Sequence, residues 1–160
     1  MKEAFLLIGG NMGDRIHILA QARQAIEQQA GALLHRSHIY ETEAWGKTDQ
    51  EAFLNQALHI ATSLNPADLL VTLLRIEESL GRKRTIKYGP RLIDIDIIFY
   101  EDQVIHQPNL TLPHPEMQHR RFVLVPLAEL APGKIHPILK QTVAQILAAC
   151  TDPLTVNKFN

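Results

Sequence analysis

The hydrophobic and polar positions of the first hundred residues follow two different periods. Four short apolar runs are typical of strands: 4–9, 33–42, 53–64 and 92–100. Two longer segments carry apolar residues at helical spacing: 14–30 and 65–81. The resulting order, β-α-β-β-α-β, predicts an α+β fold with a ferredoxin-like antiparallel sheet and both helices on one face.

The second of these helices has clear signals at both ends. Asn65 is the predicted N-cap, Pro66 occupies the first helical position, and Gly81 ends the helix. After residue 100 the sequence predicts a short strand at 104–105 and a proline-rich loop at 106–120. Two helices follow, at 121–130 and 142–150. Pro126 is expected to bend or shorten the first of these two helices. We expect these C-terminal helices to cover part of the other sheet face.

Composition and charge narrow the class of protein. The chain has 160 residues, 46% of them hydrophobic, which predicts one domain over 1–160 with a substantial core. The net charge of −1 argues against bulk binding to nucleic acid or membranes. The lone Cys150 excludes an internal disulfide and fits a reducing compartment. No apolar stretch approaches the roughly 20 residues of a membrane span. These features predict a cytoplasmic protein.

Two aspartates interrupt the apolar run of the last predicted strand. Asp94 and Asp96 point to the same face because they are two residues apart. The other face, predicted to pack on the helices, carries Ile93, Ile95, Ile97 and Phe99. Neighbouring like charges cost free energy, and a pair of carboxylates is the oxygen-rich site that Mg²⁺ prefers. By themselves, the aspartates are also consistent with a solvated edge strand that avoids pairing.

A basic segment stands directly before this strand. Residues 81–91 contain five basic side chains and no acidic one: Arg82, Lys83, Arg84, Lys87 and Arg91. Within it, Tyr88-Gly89-Pro90 is typical of a shaped turn. Cations beside a Mg²⁺ site are what a polyphosphate requires, so the sequence predicts a nucleoside triphosphate site. Neither a Walker A pattern nor G-x-G-x-x-G is present, which argues against a P-loop or a Rossmann fold.

Further candidates lie on both sides of this region. His114 stands between two prolines, which suits a rigidly held phosphate donor, although an ordinary loop histidine fits equally well. Phe53 and Asn55 share a strand face and would stack on and hydrogen-bond a flat heterocycle; core packing and a turn are the alternative. The eight histidines lack zinc-type spacing, which argues against a zinc site.

Together these residues form a specific pattern that covers essentially the whole chain. It consists of Gly9-x-Asn11-x-Gly13, Thr42, Gly46, Phe53-Leu54-Asn55, Glu77, Gly81-Arg82-x-Arg84, Gly89-Pro90-Arg91-x-x-Asp94-x-Asp96-Ile97, Pro113-His114-Pro115 and Arg120-x-Phe122. The pattern resembles the 6-hydroxymethyl-7,8-dihydropterin pyrophosphokinases of folate biosynthesis. The resemblance implies an enzyme that moves the β,γ-pyrophosphoryl unit of ATP to the pterin hydroxymethyl oxygen and releases AMP. It also implies a monomer that acts on these small molecules, without nucleic-acid or membrane partners.

The resemblance implies roles for individual residues as well. Asp94 and Asp96 would hold two Mg²⁺ ions, and Arg82 and Arg91 would share in catalysis. Nine residues would contact ATP: Glu77, Arg82, Arg84, Lys87, Tyr88, Arg91, Ile97, His114 and Arg120. The pterin would lie between the rings of Phe53 and Phe122, and its edge would meet Thr42, Glu43, Trp45, Gly46 and Asn55. The loops 10–14, 44–52 and 82–91 would close over the site.

The chain departs from the usual family pattern at a few positions. Glu43-Ala44-Trp45-Gly46 stands where relatives often have Pro-Pro-x-Gly, Phe53 replaces a common Tyr, and Tyr88 replaces a common Trp. None of these departures touches the metal or arginine chemistry, so we expect an active enzyme. Two other functions stay open from the residues alone: a Mg²⁺-dependent nucleotidyl transferase and a non-catalytic ferredoxin-like sensing module.

Overall fold

The computed structural model describes residues 1–43, 51–81 and 92–160. Within these ranges the chain forms eight strands, four α-helices and one 3-10 helix. In chain order they are β1 Lys2–Gly10, α1 Arg15–Gln29, β2 Ala32–Arg36, β3 Tyr40–Thr42, β4 Phe53–Thr62, α2 Pro66–Ser79, β5 Asp94–Tyr100, β6 Ile105–Gln107, β7 Leu110–Leu112, the 3-10 helix Met117–His119, α3 Arg121–Leu130, α4 Val143–Ala149 and β8 Val156–Lys158. No helix in the described part of the chain is long and apolar enough to cross a membrane.

Six of the described strands form one antiparallel sheet in the order β5-β1-β4-β3-β8, with β2 paired to β4 alongside β3. β2 and β3 together take the place of the single strand predicted at 33–42. Ser37 bridges the break: its N–H donates to Ala57 O and its Oγ accepts from Ala57 N, both at 2.9 Å. The prediction of an α+β ferredoxin-like sheet is confirmed, with an interrupted second strand and an added edge strand, β8.

Side-chain caps define the first two helices. Asp14 Oδ1 accepts the N–H of His17 at 3.1 Å, and Asn65 Oδ1 accepts the N–H of Asp68 at 2.8 Å. Beyond the end of α2, Gly81 has a φ of +94°, the left-handed backbone that a glycine adopts without strain. The signals predicted for the ends of α2 are confirmed.

The two faces of the sheet are covered unequally. On one face α1 and α2 bury a continuous apolar layer that includes Leu6, Ile8, Leu54, Leu58, Ile95 and Ile97. On the other face α3 and α4 cover one end of the sheet, over Phe5, Leu7, Ala57, Ile98 and Phe99. One end of the second face is covered by none of the described helices, and it offers a place for a ligand.

A β-bulge in β5 changes which side chains share a face. Ile97 pairs with Leu6 and Phe99 pairs with the adjacent Phe5, so Ile98 is an extra residue. Ile98 and Phe99 consequently both lie in the core beneath α3 and α4. The predicted grouping of Phe99 with Ile97 is wrong, because the strict alternation of faces ends at the bulge.

The region after β5 has more regular structure than the sequence predicts. β6 and β7 form a two-stranded ladder, and the 3-10 helix follows, so the prediction of loop throughout 106–120 is wrong. Strands of three residues are too short to give a clear alternation signal. Pro126 lies buried inside α3, which continues to Leu130, so it does not shorten the helix.

Candidate active site

A cavity of about 380 Å³ opens at the end of the sheet that the described helices leave free. β1, β3, β4 and β5 form its floor, while α3, the turn before it and residues near the C-terminus form the facing wall. The described residues that line it are Leu7, Gly9, Thr42, Glu43, Phe53, Asn55, Asp94, Asp96, Glu116, His119, Arg120, Phe122, Asp152 and Leu154. Acidic, basic, amide and aromatic side chains therefore meet in one space.

Sheet register sets the floor of this cavity. Gly9 in the central strand β1 pairs with Asp94 on one side and with Asn55 on the other. Two residues earlier in β1, Leu7 pairs with Asp96. Since residues two apart share a face, both carboxylates and the amide project into the cavity. The strands that carry the carboxylate pair and the amide, β5 and β4, lie two strand spacings, roughly 10 Å, apart.

A hydroxyl and two aromatic rings mark the other end of the cavity. Thr42 pairs with Phe53, and Phe122 contributes a second ring from α3. Thr42 Oγ1 is buried, and no described residue forms a hydrogen bond with it. Buried polar atoms rarely lack a partner, so this hydroxyl is a candidate contact for a polar ligand. Aromatic surfaces on two walls beside it suit a flat ring.

Glu77 lies on the opposite side of β5 from the cavity. It is buried in α2, and its Oε2 accepts the backbone N–H of Ile95 at 2.6 Å. Ile95 stands between Asp94 and Asp96, so this carboxylate holds β5 at the point where the two aspartates project. Glu77 does not line the cavity, and the side chain of Ile97 is buried in the core with α1 and α2. Their contact with ATP stays a prediction.

His114 does not line the cavity, but it lies near enough to the lining residue Arg120 to feel its charge. The backbone N–H of His114 donates to Ile98 O at 3.0 Å, and its Nδ1 accepts the N–H of Glu116 at 3.2 Å. Burial, reinforced by the Arg120 charge and only partly opposed by Glu116, lowers the pKa of His114 to about 4. The ring is therefore neutral at pH 7 and carries its proton on Nε2, which makes it an uncharged donor.

Two side chains attach the start of β4 to the rest of the domain. Arg15 Nη1 donates to Ala52 O at 2.8 Å and to Glu41 Oε2 at 3.1 Å. Asn11 Nδ2 donates to Glu51 O at 3.0 Å. These contacts join α1, β3 and the residues before Phe53, so they fix one rim of the cavity. Arg15 is a residue that the sequence reasoning missed.

The structure brings together most of the predicted site residues that it describes. Eight of them line the cavity: Thr42, Glu43, Phe53, Asn55, Asp94, Asp96, Arg120 and Phe122. Seven lie outside the described residues: Trp45, Gly46, Arg82, Arg84, Lys87, Tyr88 and Arg91. The lining residues that sequence reasoning missed include Gly9, Glu116, Asp152 and Leu154. The alternation along β1 would have indicated Gly9, whereas Asp152 and Leu154 carry no local signal.

Comparison with known proteins identifies the family. The family model described as 7,8-dihydro-6-hydroxymethylpterin-pyrophosphokinase matches residues 5–132. A 2-amino-4-hydroxy-6-hydroxymethyldihydropteridine pyrophosphokinase of Aquifex aeolicus is 40% identical over 145 residues, covering 91% of this chain and 90% of the relative. The protein of the same name from Methylorubrum extorquens is 44% identical over 149 residues, covering 92% and 93%.

A solved structure supports the same fold. The crystal structure of Plasmodium falciparum HPPK-DHPS wild type with SDX-DHP matches with a TM-score of 0.77 at 20% identity. The match covers 92% of this chain and 43% of that chain, so this protein spans less than half of the Plasmodium protein's length. At this identity the likeness shows the fold, while the family model and the two bacterial relatives carry the assignment. The chain belongs to the family of 7,8-dihydro-6-hydroxymethylpterin-pyrophosphokinases.

Proposed function

We propose that this pyrophosphokinase transfers the β,γ-pyrophosphoryl unit of ATP to 6-hydroxymethyl-7,8-dihydropterin, a step in folate biosynthesis. The family and its bacterial relatives support an ATP-dependent enzyme of this class. The structural observation that carries the proposal is the cross-strand row of Asp94, Gly9 and Asn55. The row supports the proposal because its carboxylates would suit a metal-bound triphosphate and its amide would suit a heterocycle in the same cavity.

In the proposed reaction the pterin hydroxymethyl oxygen attacks the β-phosphorus of ATP. A bond forms between these two atoms, the bond from the β-phosphorus to the α,β-bridging oxygen breaks, and AMP leaves. The hydroxyl proton is released, and the products are AMP and the pterin diphosphate. Such a transfer needs little covalent help from the protein, so alignment and neutralisation of charge dominate.

We assign the pterin to the aromatic end of the cavity. Phe53 and Phe122 would stack on its two faces, and Asn55 would hydrogen-bond its polar edge. The buried hydroxyl of Thr42, which has no hydrogen-bond partner among the described residues, supports this placement, and Glu43 lines the same cavity. Trp45 and Gly46 belong to the proposed set through the family pattern alone.

We assign ATP to the carboxylate end. Arg120 would meet its phosphate oxygens from the wall, and the neutral His114 would donate from Nε2. Five residues complete the proposed set through the family pattern: Arg82, Arg84, Lys87, Tyr88 and Arg91. Arg82 and Arg91 are the proposed catalytic cations, because a guanidinium offers bidentate contact to charge that develops on phosphate oxygens. Glu77 and Ile97 are proposed near the nucleoside end.

The carboxylate pair fits Mg²⁺. Asp94 is half-buried and Asp96 is exposed, and both border the cavity from one strand face. No group of three or more His, Cys, Asp or Glu that could hold a metal occurs among the described residues, so phosphate oxygens and waters would complete the coordination, as is usual for Mg²⁺. Two bound Mg²⁺ ions would supply neutralisation of the triphosphate charge. Asp94 and Asp96 would hold the ions, and these two residues lie across β1 from Asn55.

The identity of the nucleotide product tests this proposal. The purified protein would be incubated with ATP, Mg²⁺ and 6-hydroxymethyl-7,8-dihydropterin, and the nucleotides separated by ion exchange. We expect AMP in equal amount to pterin diphosphate. ADP, nucleotidyl transfer with release of pyrophosphate, or binding without turnover would overturn it. Asp96→Asn, which removes one carboxylate charge at nearly constant size, is compared with the wild-type protein. We expect its kcat to fall at least about a hundredfold while it still binds the pterin.

The family pattern extends this proposal to the protein as a whole. It supports a cytoplasmic monomer that forms one domain over residues 1–160 and has no nucleic-acid or membrane partner. Sedimentation of the purified protein with and without Mg²⁺-ATP tests the monomer directly, and a stable dimer at catalytic concentrations would overturn it.

A further inference from the structure

The last residues of the chain form a wall of the cavity. Asp152 and Leu154 line it, and a few residues later Val156 pairs with Thr42 where β8 joins β3. The family model matches only as far as residue 132, so this wall lies beyond the matched region. We propose that Asp152 is a positioning residue, which fixes the start of α3 and thereby holds Phe122 in place for the pterin. The inference rests on the proposed function.

Asp152 and Arg121 are joined by reciprocal hydrogen bonds. Asp152 Oδ2 accepts the backbone N–H of Arg121, the first residue of α3, at 2.9 Å. The Arg121 side chain donates two hydrogen bonds in the opposite direction. Its Nε donates to Asp152 O at 3.3 Å, and its Nη2 donates to Cys150 O at 3.1 Å. The other carboxylate oxygen of Asp152 accepts the N–H of Leu154 at 3.0 Å, which shapes the segment that faces the cavity.

This clamp replaces a missing cap. Arg120 stands at the N-cap position of α3, and its side chain makes no capping hydrogen bond. The first N–H groups of a helix have no partner within the helix, and a negative charge near them is favourable. Asp152 provides both an acceptor and the charge from a distant part of the chain. The start of α3 therefore depends on residue 152 for its exact position.

Loss of the clamp would affect the position of Phe122, which follows Arg121 directly. α3 is held on the sheet by Val123, Leu124 and Leu127, and Phe122 packs only partly against the same core, so losing the clamp loosens the first two residues of α3 while the helix stays docked. Arg120, whose guanidinium carbon lies 5.8 Å from the centre of the Phe122 ring, has an additional anchor outside α3, because its N–H donates to Met117 O at 3.3 Å. Asp94 and Asp96 lie on the sheet, away from this turn. Loss of Asp152 should therefore weaken pterin binding much more than ATP binding.

Steady-state kinetics of Asp152→Ala, with pterin and ATP varied separately, tests the inference. We expect the pterin KM to rise about tenfold, and the ATP KM and kcat to stay within about twofold of wild type. Asp152→Asn keeps one acceptor oxygen and should restore part of the affinity. Asn157→Ala, on the exposed side of the same segment, is the matched control and should behave as wild type.

A double-mutant cycle separates positioning from general stability. If Asp152 acts through Phe122, the pterin Kd of Phe122→Ala/Asp152→Ala equals that of Phe122→Ala alone; additive losses would overturn the inference. Equal rises in both KM values, or an unchanged pterin KM, would overturn it too. Should Asp152→Ala fail to fold, the same cycle is run with Asp152→Asn. A wild-type protein that makes no AMP would instead refute the proposed function, independently of the clamp.

Discussion

The side-chain amide of Asn55 lies directly over Gly9. A Cβ atom at position 9 would stand 2.0 Å from Asn55 Oδ1 and 2.9 Å from Leu54 O, both far inside van der Waals contact. Glycine is therefore required here by the space above the strand, because any side chain would displace the amide. Gly9 also separates Asn55 from Asp94 in the cross-strand row, so one residue without a side chain keeps both substrate regions open.

Gly9→Ala should consequently abolish most pterin binding. The methyl group would push the Asn55 amide out of its position. It would also clash with the backbone oxygen of Leu54, which cannot move without disturbing the sheet. We expect the pterin Kd, measured by fluorescence titration, to rise at least about tenfold. Gly133→Ala is the matched control, because a Cβ at that position meets nothing within 4 Å. An unchanged pterin Kd in Gly9→Ala would contradict the placement of Asn55.

Glu77→Leu should lower both the free energy of unfolding and the apparent affinity for Mg²⁺. It removes the acceptor of the buried Ile95 N–H, and an unsatisfied buried donor costs about 1–3 kcal/mol of the free energy of unfolding. Because Ile95 stands between Asp94 and Asp96, the Mg²⁺ concentration for half-maximal rate should also rise. Urea unfolding and a Mg²⁺ titration measure the two effects.

Two further variants serve as controls for Glu77→Leu. Glu77→Gln retains an oxygen acceptor and should keep most of the stability, whereas Glu78→Leu changes an exposed neighbour on the same helix and should leave both quantities near wild type. The role assigned to Glu77 is wrong if Glu77→Leu and Glu78→Leu have equal stability and equal Mg²⁺ dependence.

His114 should make the fold less stable as the pH falls. Burial first, and then Arg120, lower its pKa from 6.5 to about 4, so between these values the unfolded chain binds more protons than the folded one. The free energy of unfolding therefore decreases as the pH drops from 6.5 toward 4. The contribution of His114 over that window is at most about 3 kcal/mol.

His114→Asn removes this contribution and keeps a side-chain oxygen as acceptor for the Glu116 N–H. Burial also lowers the pKa of His136, but that group is present in both proteins and cancels in their difference. Urea unfolding at a series of pH values should show the stability difference between the two proteins changing through the window. A difference that is independent of pH would contradict the assignment of a half-buried, neutral His114.

Mg²⁺ and ATP together should raise the melting temperature. A ligand that binds only the folded state stabilises it by mass action, by about 2.7 kcal/mol at a hundred times its Kd. Asp94→Asn/Asp96→Asn should lose the part of the shift that depends on Mg²⁺, with ATP plus EDTA as the reference. If Mg²⁺ adds nothing to the shift in the wild-type protein, the aspartates do not hold metal.

Much of this sheet could be predicted because its signals are local. The period of two in β5 places Asp94 and Asp96 on one face, and the Asn65 cap and Gly81 bound α2. The bulge at Ile98 could not be predicted, because every neighbouring side chain is apolar and either face would accept it. Pairing with β1, a property of the whole sheet, decides between the faces.

For the cavity too, some residues could be predicted from local sequence signals and others could not. Phe53 and Asn55 share a strand face, and the basic and acidic motifs stand beside each other in the sequence, so their meeting could be expected. Asp152 could not be expected, since it reaches Arg121 from 31 residues away through a hydrogen bond that leaves no periodic signal. Glu77 is similar: its spacing marks an ordinary helix position, and only tertiary packing brings it to Ile95.

The fate of the β-phosphorus of ATP shows which bond the enzyme breaks. The protein would be given 6-hydroxymethyl-7,8-dihydropterin, Mg²⁺ and ATP labelled at the β-phosphorus, and the labelled product identified. Transfer of the β,γ-pyrophosphoryl unit puts the label on the pterin and leaves unlabelled AMP, and this is the result we predict. Label found in ADP or in free pyrophosphate would mean that another bond of ATP is broken, and would contradict the proposed function.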